Sequence, residues 1–433
     1  MRLSLPESII TALPIVKRLR EHHFEAVFVG GCVRDTVLGL PIKDVDIATS
    51  AKPEQVMQLF ERCIPTGLQH GTITVLAEGI SYEVTTFRLE SQYEGHRKPE
   101  YVEYINSLDG DLLRRDFTMN AMALTEDGEL LDPFGGLQDV KHGLLRCVCE
   151  ADARFQEDAL RMLRAVRFMS TYQLRPAHQT WKALVRHRSL LRFIAMERVR
   201  DELDKMLSGS CPQRALHFVA ASGLLHHLKE PFPKLLVHTI DEALQSSDAV
   251  LLFHDLQHLS VNELRWAAIG IGLRLPIMAA EQALNTLRFS KQRSRIILTV
   301  ISIHYEMLKV TSLNSQAAVR KGWLEVVLRN GVDSARDWLT TVNVMKTSSP
   351  AALNKHVTHL EQWLDELPIS ALKQLSVSGS ELVRHLQREA GPWISEMLNK
   401  LLLQVAIGAL DNDKPELLKQ AVIWDKKDND DEK

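Results

Sequence analysis

Residues 29–50 read VGGCVRDTVLGLPIKDVDIATS, and the reading of this stretch decides the fold. A β-rich run, AVFV, leads into Gly30 and Gly31, a pair that lets backbone amides approach a triphosphate closely. Arg34 falls one turn into the helix that follows, where it can support the phosphates or the next strand, and Leu38 with Gly39 reads as a helix stop. In KDVDIAT, strand alternation puts Asp44 and Asp46 on one face and Val45 and Ile47 on the other. Two carboxylates so placed can hold Mg²⁺, which phosphoryl transfer uses to activate an attacking hydroxyl and stabilise departing pyrophosphate. Each half alone is ordinary, since surface Asp pairs are common and a Gly-Gly after a strand is usually a tight turn. Coupled at this spacing, they become a specific signal.

Outward from this stretch the chain changes character. Up to about residue 132, short β-rich runs alternate with helical ones: AVFVGG, KDVDIAT, TITVLA, ISYEVTTF and YVEYI are the expected strands. Beyond Phe155 helical spacing takes over, punctuated by Pro176, Pro212, Pro231, Pro276, Pro350, Pro368 and Pro392. No repeat of fixed period is visible, and the terminal DKKDNDDEK is too charged to pack.

Composition narrows the class. With 433 residues, 45% hydrophobic and 25% charged, the chain can bury large cores in about three domains. No apolar run reaches the ~18–20 residues of a membrane-spanning helix, and the start MRLSLPESII lacks a signal-peptide core, so a cytoplasmic protein without membrane contact is expected. Cys32, Cys63, Cys147, Cys149 and Cys211 are scattered without a zinc-ligand pattern and read as reduced structural thiols. A net charge of −3 excludes a chain coated in nucleic acid, so any RNA contact must be local. Residues 154–205 supply such enrichment in Arg and Lys, although a solvated helical face explains the charge equally well.

Residues 29–50 closely resemble the signature of the polymerase-β-like superfamily branch that holds tRNA CCA-adding enzymes and bacterial poly(A) polymerases. The resemblance continues in order. LLRRDFTMNAMAL, residues 112–124, is similar to that family's ribose- and phosphate-binding motif, with Arg115, Asp116 and Asn120 in the matching places. DPFGGLQDV, residues 132–140, resembles the segment joining head to neck. A third carboxylate of such a site is expected from a neighbouring strand, where ISYEVTTFR offers Glu83; a cross-strand ion pair of Glu83 with Arg88 or Arg115 is the alternative.

RFQEDALRMLRAVRF opens the helical region, and helical spacing sets Glu157, Asp158, Arg161, Arg164 and Phe168 on one ridge with Leu160 and Leu163 toward a core. A plain i,i+4 ion pair of Glu157 with Arg161, worth about 0.2–0.5 kcal/mol, would explain the first of these. The resemblance implies more: EDxxR matches the motif by which the family reads the incoming base with amino acids instead of a template. Cytosine and adenine each present an amine donor beside a ring-nitrogen acceptor, complementing the Asp158 carboxylate and the Arg161 guanidinium. Uracil and guanine place a carbonyl where the amine should be. Glu157 would orient Arg161.

Within the family, EDALR, where the poly(A) polymerases usually carry proline after the acidic pair, favours CCA addition. The segment QHGTITVLAEGISYEVTTFRLESQYEGHRKPEYV and the acidic carboxy terminus favour it too. The polar loop from Leu89 to Glu100 is a candidate mobile element whose presence favours full CCA over CC addition, or else an ordinary connector. ERVRDELDKML resembles a neck helix and KQLSVSGSELVRHLQREAGPWISEML the tail helices; the single pair His254 and Asp255 reads as structural. Arg288, Lys291, Arg293 and Arg295 are candidates for the tRNA backbone, or else a solvated helix end.

The fold class implied is α+β, a polymerase-β-like nucleotidyltransferase head with a small mixed β-sheet over residues 1–145, followed by an all-α neck (146–208), body (209–310) and tail (311–425), with a frayed acidic end (426–433). The implied partners are the tRNA acceptor end, CTP and ATP, with Mg²⁺ and no obligate protein partner. A poly(A) polymerase, and a non-catalytic RNA-binding scaffold marked by loss of an Asp of the DxD, are the competing readings.

Overall fold

Four apolar residues in a row, AVFV, can all be buried only in a strand covered on both faces, and strand β1 (Ala26–Val29) is buried throughout. The structure is a computed structural model and describes residues 1–90, 93–94, 98–99, 102–245, 253–345 and 351–431. The described residues fall into two units, one of 1–237 with 286–288 and the other of 238–285 with 289–433. The expected head and neck both lie in the first unit, whereas the expected body, 209–310, contributes to both.

The first unit begins with α1 (Glu7–Glu21), β1, α2 (Gly31–Leu38), β2 (Asp46–Thr49), α3 (Pro53–Leu59), β3 (Cys63–Gly67), β4 (Thr72–Ala77) and β5 (Ile80–Thr86). It continues through β6 (Arg88–Glu90), β7 (Tyr93–Glu94), β8 (Lys98–Pro99), β9 (Val102–Tyr104), α4 (Leu108–Leu113), β10 (Ala123–Leu124), β11 (Leu130–Leu131) and α5 (Gly136–Lys141). Seven strands form one mixed sheet in the order β11-β10-β1-β2-β5-β4-β3. Only β2 and β5 run parallel within it. Pro65, which has no N–H to give a ladder, sits on the edge strand β3, where that costs least. YVEYI forms β9, but β9 pairs with β6 outside the main sheet. Of the expected mobile loop, residues 91–92, 95–97 and 100 lie outside the described residues; β7 and β8 within it pair antiparallel.

Side-chain alternation sorts the sheet into two faces. Phe28, Ile47, Ile73 and Val84 pack with Ile9, Ile15 and Leu19 of α1. Val27, Val29 and Ala48 face the other way, onto Phe87 and onto Leu108 and Leu112 of α4. Asp46 and Glu83 alternate with Ile47 and Val84, so they open on the α4 side.

Four further helices complete the region around that side: α6 (Ala151–Glu157), α7 (Leu160–Thr171), α8 (His178–His187) and α9 (Met196–Leu207). The expected single helix through RFQEDALRMLRAVRF is interrupted. Asp158 is extended (φ −132°, ψ 105°), because its carboxylate accepts from the Leu160 amide at 3.0 Å, a local bond that competes with helix.

The second unit is helical among its described residues. Its centre is a pair of fully buried tryptophans, Trp323 and Trp338, with ring centroids 5.3 Å apart and the Trp323 indole donating to the Leu360 carbonyl at 2.9 Å. The last helix, Lys414–Asp431, carries the chain through most of the segment expected to fray. No helix of the described residues is long and apolar enough to cross a membrane.

DPFGG ties the first unit together at one point. Asp132 caps α5 by accepting from the Gly136 and Leu137 amides at 2.7 and 2.9 Å. A Cβ on Gly136 would stand 2.2 Å from the Thr118 carbonyl oxygen, at the start of the 3₁₀ turn Thr118–Asn120. Backbone cannot yield as a side-chain tip can, so Gly136→Ala is expected to cost about 1–3 kcal/mol in a denaturant melt and to lower activity by displacing Asn120. An unchanged midpoint would contradict this packing.

Candidate active site

The β1–α2 turn, the C-terminal end of α4, and α7 wall a cavity of about 570 Å³. Gly30 forms the turn at φ +72°, and a Cβ there would stand 3.2 Å from Arg115 Nη1 and 3.3 Å from Asp46 Oδ2. Glycine thus keeps open the space between a guanidinium and a carboxylate. Gly31, Arg34, Asp46, Arg115, Asp116 and Asn120 all line the same cavity.

The carboxylate end departs in one respect from the expected strand face. β2 begins at Asp46, and Asp44 stands just ahead of it, exposed. Glu83 is in register with Asp46 across the parallel pair. Burial pushes the Asp46 carboxyl up to about 6, the nearby Glu83 charge adds to this, Arg115 opposes it, and Asp44 raises it further. Like charges crowded in this way favour a cation among them. Among the described residues no three His, Cys, Asp or Glu side chains close into a complete metal site. An open pair of carboxylates suits a divalent ion that takes its remaining ligands from substrate phosphates.

Beside the glycine turn lies a continuous polar network. Arg34 donates from Nε and Nη2 to the two oxygens of Asp35, at 2.9 Å each, and from Nη1 to Asn120 Oδ1 at 2.8 Å. The Asn120 amide donates to Asp116 Oδ1 at 3.1 Å, and Arg164 donates from Nε to Asp116 Oδ2 at 2.8 Å. Burial works against the Asp116 charge, but Arg164 and Asn120 outweigh it and hold the carboxyl down at about 2. Arg115 donates to Asp111 at 3.1 Å, while its Nε is buried without a partner among the described residues, an orphan donor suited to an incoming oxygen.

At the other end, Asp158, Arg161 and Arg164 line the cavity with Arg114, Leu160, Phe168 and Arg198. Glu157, expected to orient Arg161, accepts from its Nη1 at 2.7 Å. Arg161 Nη2 donates to the Arg114 carbonyl at 3.0 Å, so the Arg161 guanidinium is fixed from α6 and from the end of α4. Asp158 keeps its second oxygen 3.2 Å from Arg198. Leu163 is buried as expected, whereas Leu160, though buried, contributes to the cavity wall.

Several participants escaped the sequence reading. Asp111, 1% exposed, accepts from both Arg114 and Arg115. His70, Arg114 and Arg198 line the cavity, and only ERVRDEL, similar to a neck helix behind the pocket, pointed toward one of them; Arg88, weighed above only as an ion-pair partner of Glu83, lines it too. None of the four basic residues proposed for tRNA is among the residues that line the cavity. Arg288 pairs with Glu230 and Arg293 with Glu263, while Lys291 and Arg295 are exposed. All five cysteines are free thiols.

A mixed sheet presenting carboxylates beside a glycine turn, with arginines around a triphosphate-sized cavity, defines a nucleotidyltransferase. Family models agree: the Poly A polymerase head domain matches residues 26–146, the RNA and SrmB-binding site of polymerase A matches 173–235, and tRNA nucleotidyltransferase domain 2 matches 257–421. A CCA-adding enzyme of Ligilactobacillus salivarius is 36% identical over 420 residues, covering 96% of this chain and 97% of that one. Another, from Geobacillus thermodenitrificans, is 37% identical over 407 residues, covering 93% and 94%. The crystal structure of the Bacillus stearothermophilus CCA-adding enzyme in complex with CTP superposes with a TM-score of 0.84 at 31% identity, covering 99% of this chain and all of that one. The chain belongs to the CCA-adding enzyme family. A divalent metal ion is typical of such nucleotidyltransferases.

The raised Asp46 carboxyl makes a stability prediction for metal-free protein. Its folded value, about 6, lies above the ordinary carboxylate value, so its contribution is fully present at low pH and is lost as pH rises through about 6. In EDTA, Asp46→Asn is expected to raise the melting temperature at pH 8 and to change it little near pH 4. Equal effects at both pH values would contradict the crowding of charge at this carboxylate.

Proposed function

We propose that this chain adds cytidine, cytidine and adenosine in turn to the 3′ end of tRNA, taking CTP and ATP and releasing pyrophosphate. The reading rests on one cavity that joins a carboxylate end at Asp46 to the proposed base-facing end at Asp158 and Arg161. It is supported by relatives at 36–37% identity that are named for CCA addition, and by a structural neighbour solved with CTP.

Asp44 and Asp46 would hold Mg²⁺, with Glu83 beside them. The bound ion would supply charge neutralisation at the α-phosphate and at the attacking 3′-hydroxyl. Gly30 and Gly31 give the triphosphate room to lie against the backbone, and Arg34, Arg115 and Asn120 border that space. Asp116 orients Asn120 and Arg164 from behind. Asp158 accepts from the exocyclic amine of cytosine or adenine, and Arg161 donates to the adjacent ring nitrogen. Uracil or guanine would set a carbonyl against the Asp158 carboxylate, leaving polar groups unpaired at about 1–3 kcal/mol each. Lys291 and Arg295, exposed at the start of helix Lys291–Val310, are the stronger of the proposed tRNA-backbone contacts. A tRNA substrate places the chain in the cytoplasm.

Purified protein, Mg²⁺ and a tRNA transcript lacking its 3′ CCA test this with CTP alone, ATP alone, then both. The expected products are two added residues with CTP and a halt at three with both, and none with Asp44→Ala. Long tails from ATP alone on unrelated RNA would instead make the chain a poly(A) polymerase.

A further inference from the structure

Arg161, Arg164, Phe168 and Tyr172 fall on one face of α7 and its C-cap, at spacings of 3, 4 and 4. The first three line the cavity; Tyr172 does not. Its contacts lie on the phosphate side. The Tyr172 ring covers the Arg34 guanidinium at 4.5 Å, against 5.6 Å for Phe168. Its hydroxyl donates to Asp35 Oδ1 at 3.2 Å, the same carboxylate that takes two hydrogen bonds from Arg34.

A guanidinium carries five N–H groups in a rigid fork. Asp35 and Asn120 accept three of those of Arg34, and one N–H each on Nη1 and Nη2 is left without a partner among the described residues. Nη2 stands 3.5 Å from where a Cβ of Gly31 would be, so the unspent edge borders the glycine turn. Arg34 itself is 8% exposed, and a ring over a desolvated cation binds it more strongly than one in water. The arginine is therefore clamped on its face by Tyr172 and along its edge by Asp35.

We infer that Tyr172 and Asp35 are positioning residues which hold Arg34 ready for the triphosphate and fix that contact at a set distance from Arg161, carried by the same helix. This rests on the nucleotide reading above. It assigns the pair to triphosphate affinity and not to choice of base. The ring supplies most of the clamp, and the hydroxyl aligns the carboxylate.

Calorimetric titration of CTP and CMP into parent, Tyr172→Leu, Tyr172→Phe and Asp35→Asn proteins tests it, with a thermal melt of each. Tyr172→Leu and Asp35→Asn are expected to weaken CTP about tenfold while CMP stays within about twofold, and Tyr172→Phe to lose about threefold on CTP. The preference for CTP over UTP should hold in every variant. Should Tyr172→Leu fail to fold, the other two substitutions carry the comparison. Equal weakening of CTP and CMP, or CTP binding unchanged throughout, overturns the inference. A parent protein that binds no CTP would refute the function proposed above instead.

Discussion

The buried carboxylate of Asp116 is the constraint on which the site depends. It takes a hydrogen bond from the Phe117 amide, one from Asn120 and two from Arg164, and is largely buried at the cavity wall. A buried ion stripped of one partner is costly, so each of these groups is committed to its place. Asn120 is thereby turned toward Arg34, and Arg164 anchors α7. Through one acid, the helix that carries Arg161 and the helix that carries Arg34 share a common support.

That shared support matters for the proposed reading of the base by side chains. Discrimination by side chains alone depends on polar groups that cannot move to suit the wrong base, which is a matter of rigidity more than of affinity. Arg161 shows how rigidity is achieved: Glu157 on α6 and a backbone carbonyl at the end of α4 take its hydrogens, and α7 carries its backbone. The neighbouring Asp158 is held by the break between two helices, bonded to the Leu160 amide and beside Arg198. A continuous helix would have turned that carboxylate differently.

Much of this was legible in the residues. The β-rich runs located β1, β4 and β5, and the Gly-Gly turn and the DxD pointed to residues of which Gly30, Gly31 and Asp46 line one cavity. What stayed hidden had physical reasons. Two-residue strands such as β10 and β11 are too short for a periodic signal and exist because β1 offers an edge to β10, and β10 in turn to β11. Asp158 reads as helical from spacing, since the hydrogen bond that breaks the helix is local and opportunistic. Asp111 carries no motif of its own, yet the fold buries it beside Arg114 and Arg115, and their charges overcome its burial to hold its carboxyl below the ordinary value. Tyr172 and Asp35 meet across 137 positions of sequence, beyond the reach of any local pattern.

Equilibrium binding of the four ribonucleoside triphosphates to RNA-free protein tests most directly whether protein side chains alone choose the base. CTP and ATP are predicted to bind, with UTP and GTP weaker by about tenfold or more. Equal binding of all four would contradict the assignment of base choice to Asp158 and Arg161.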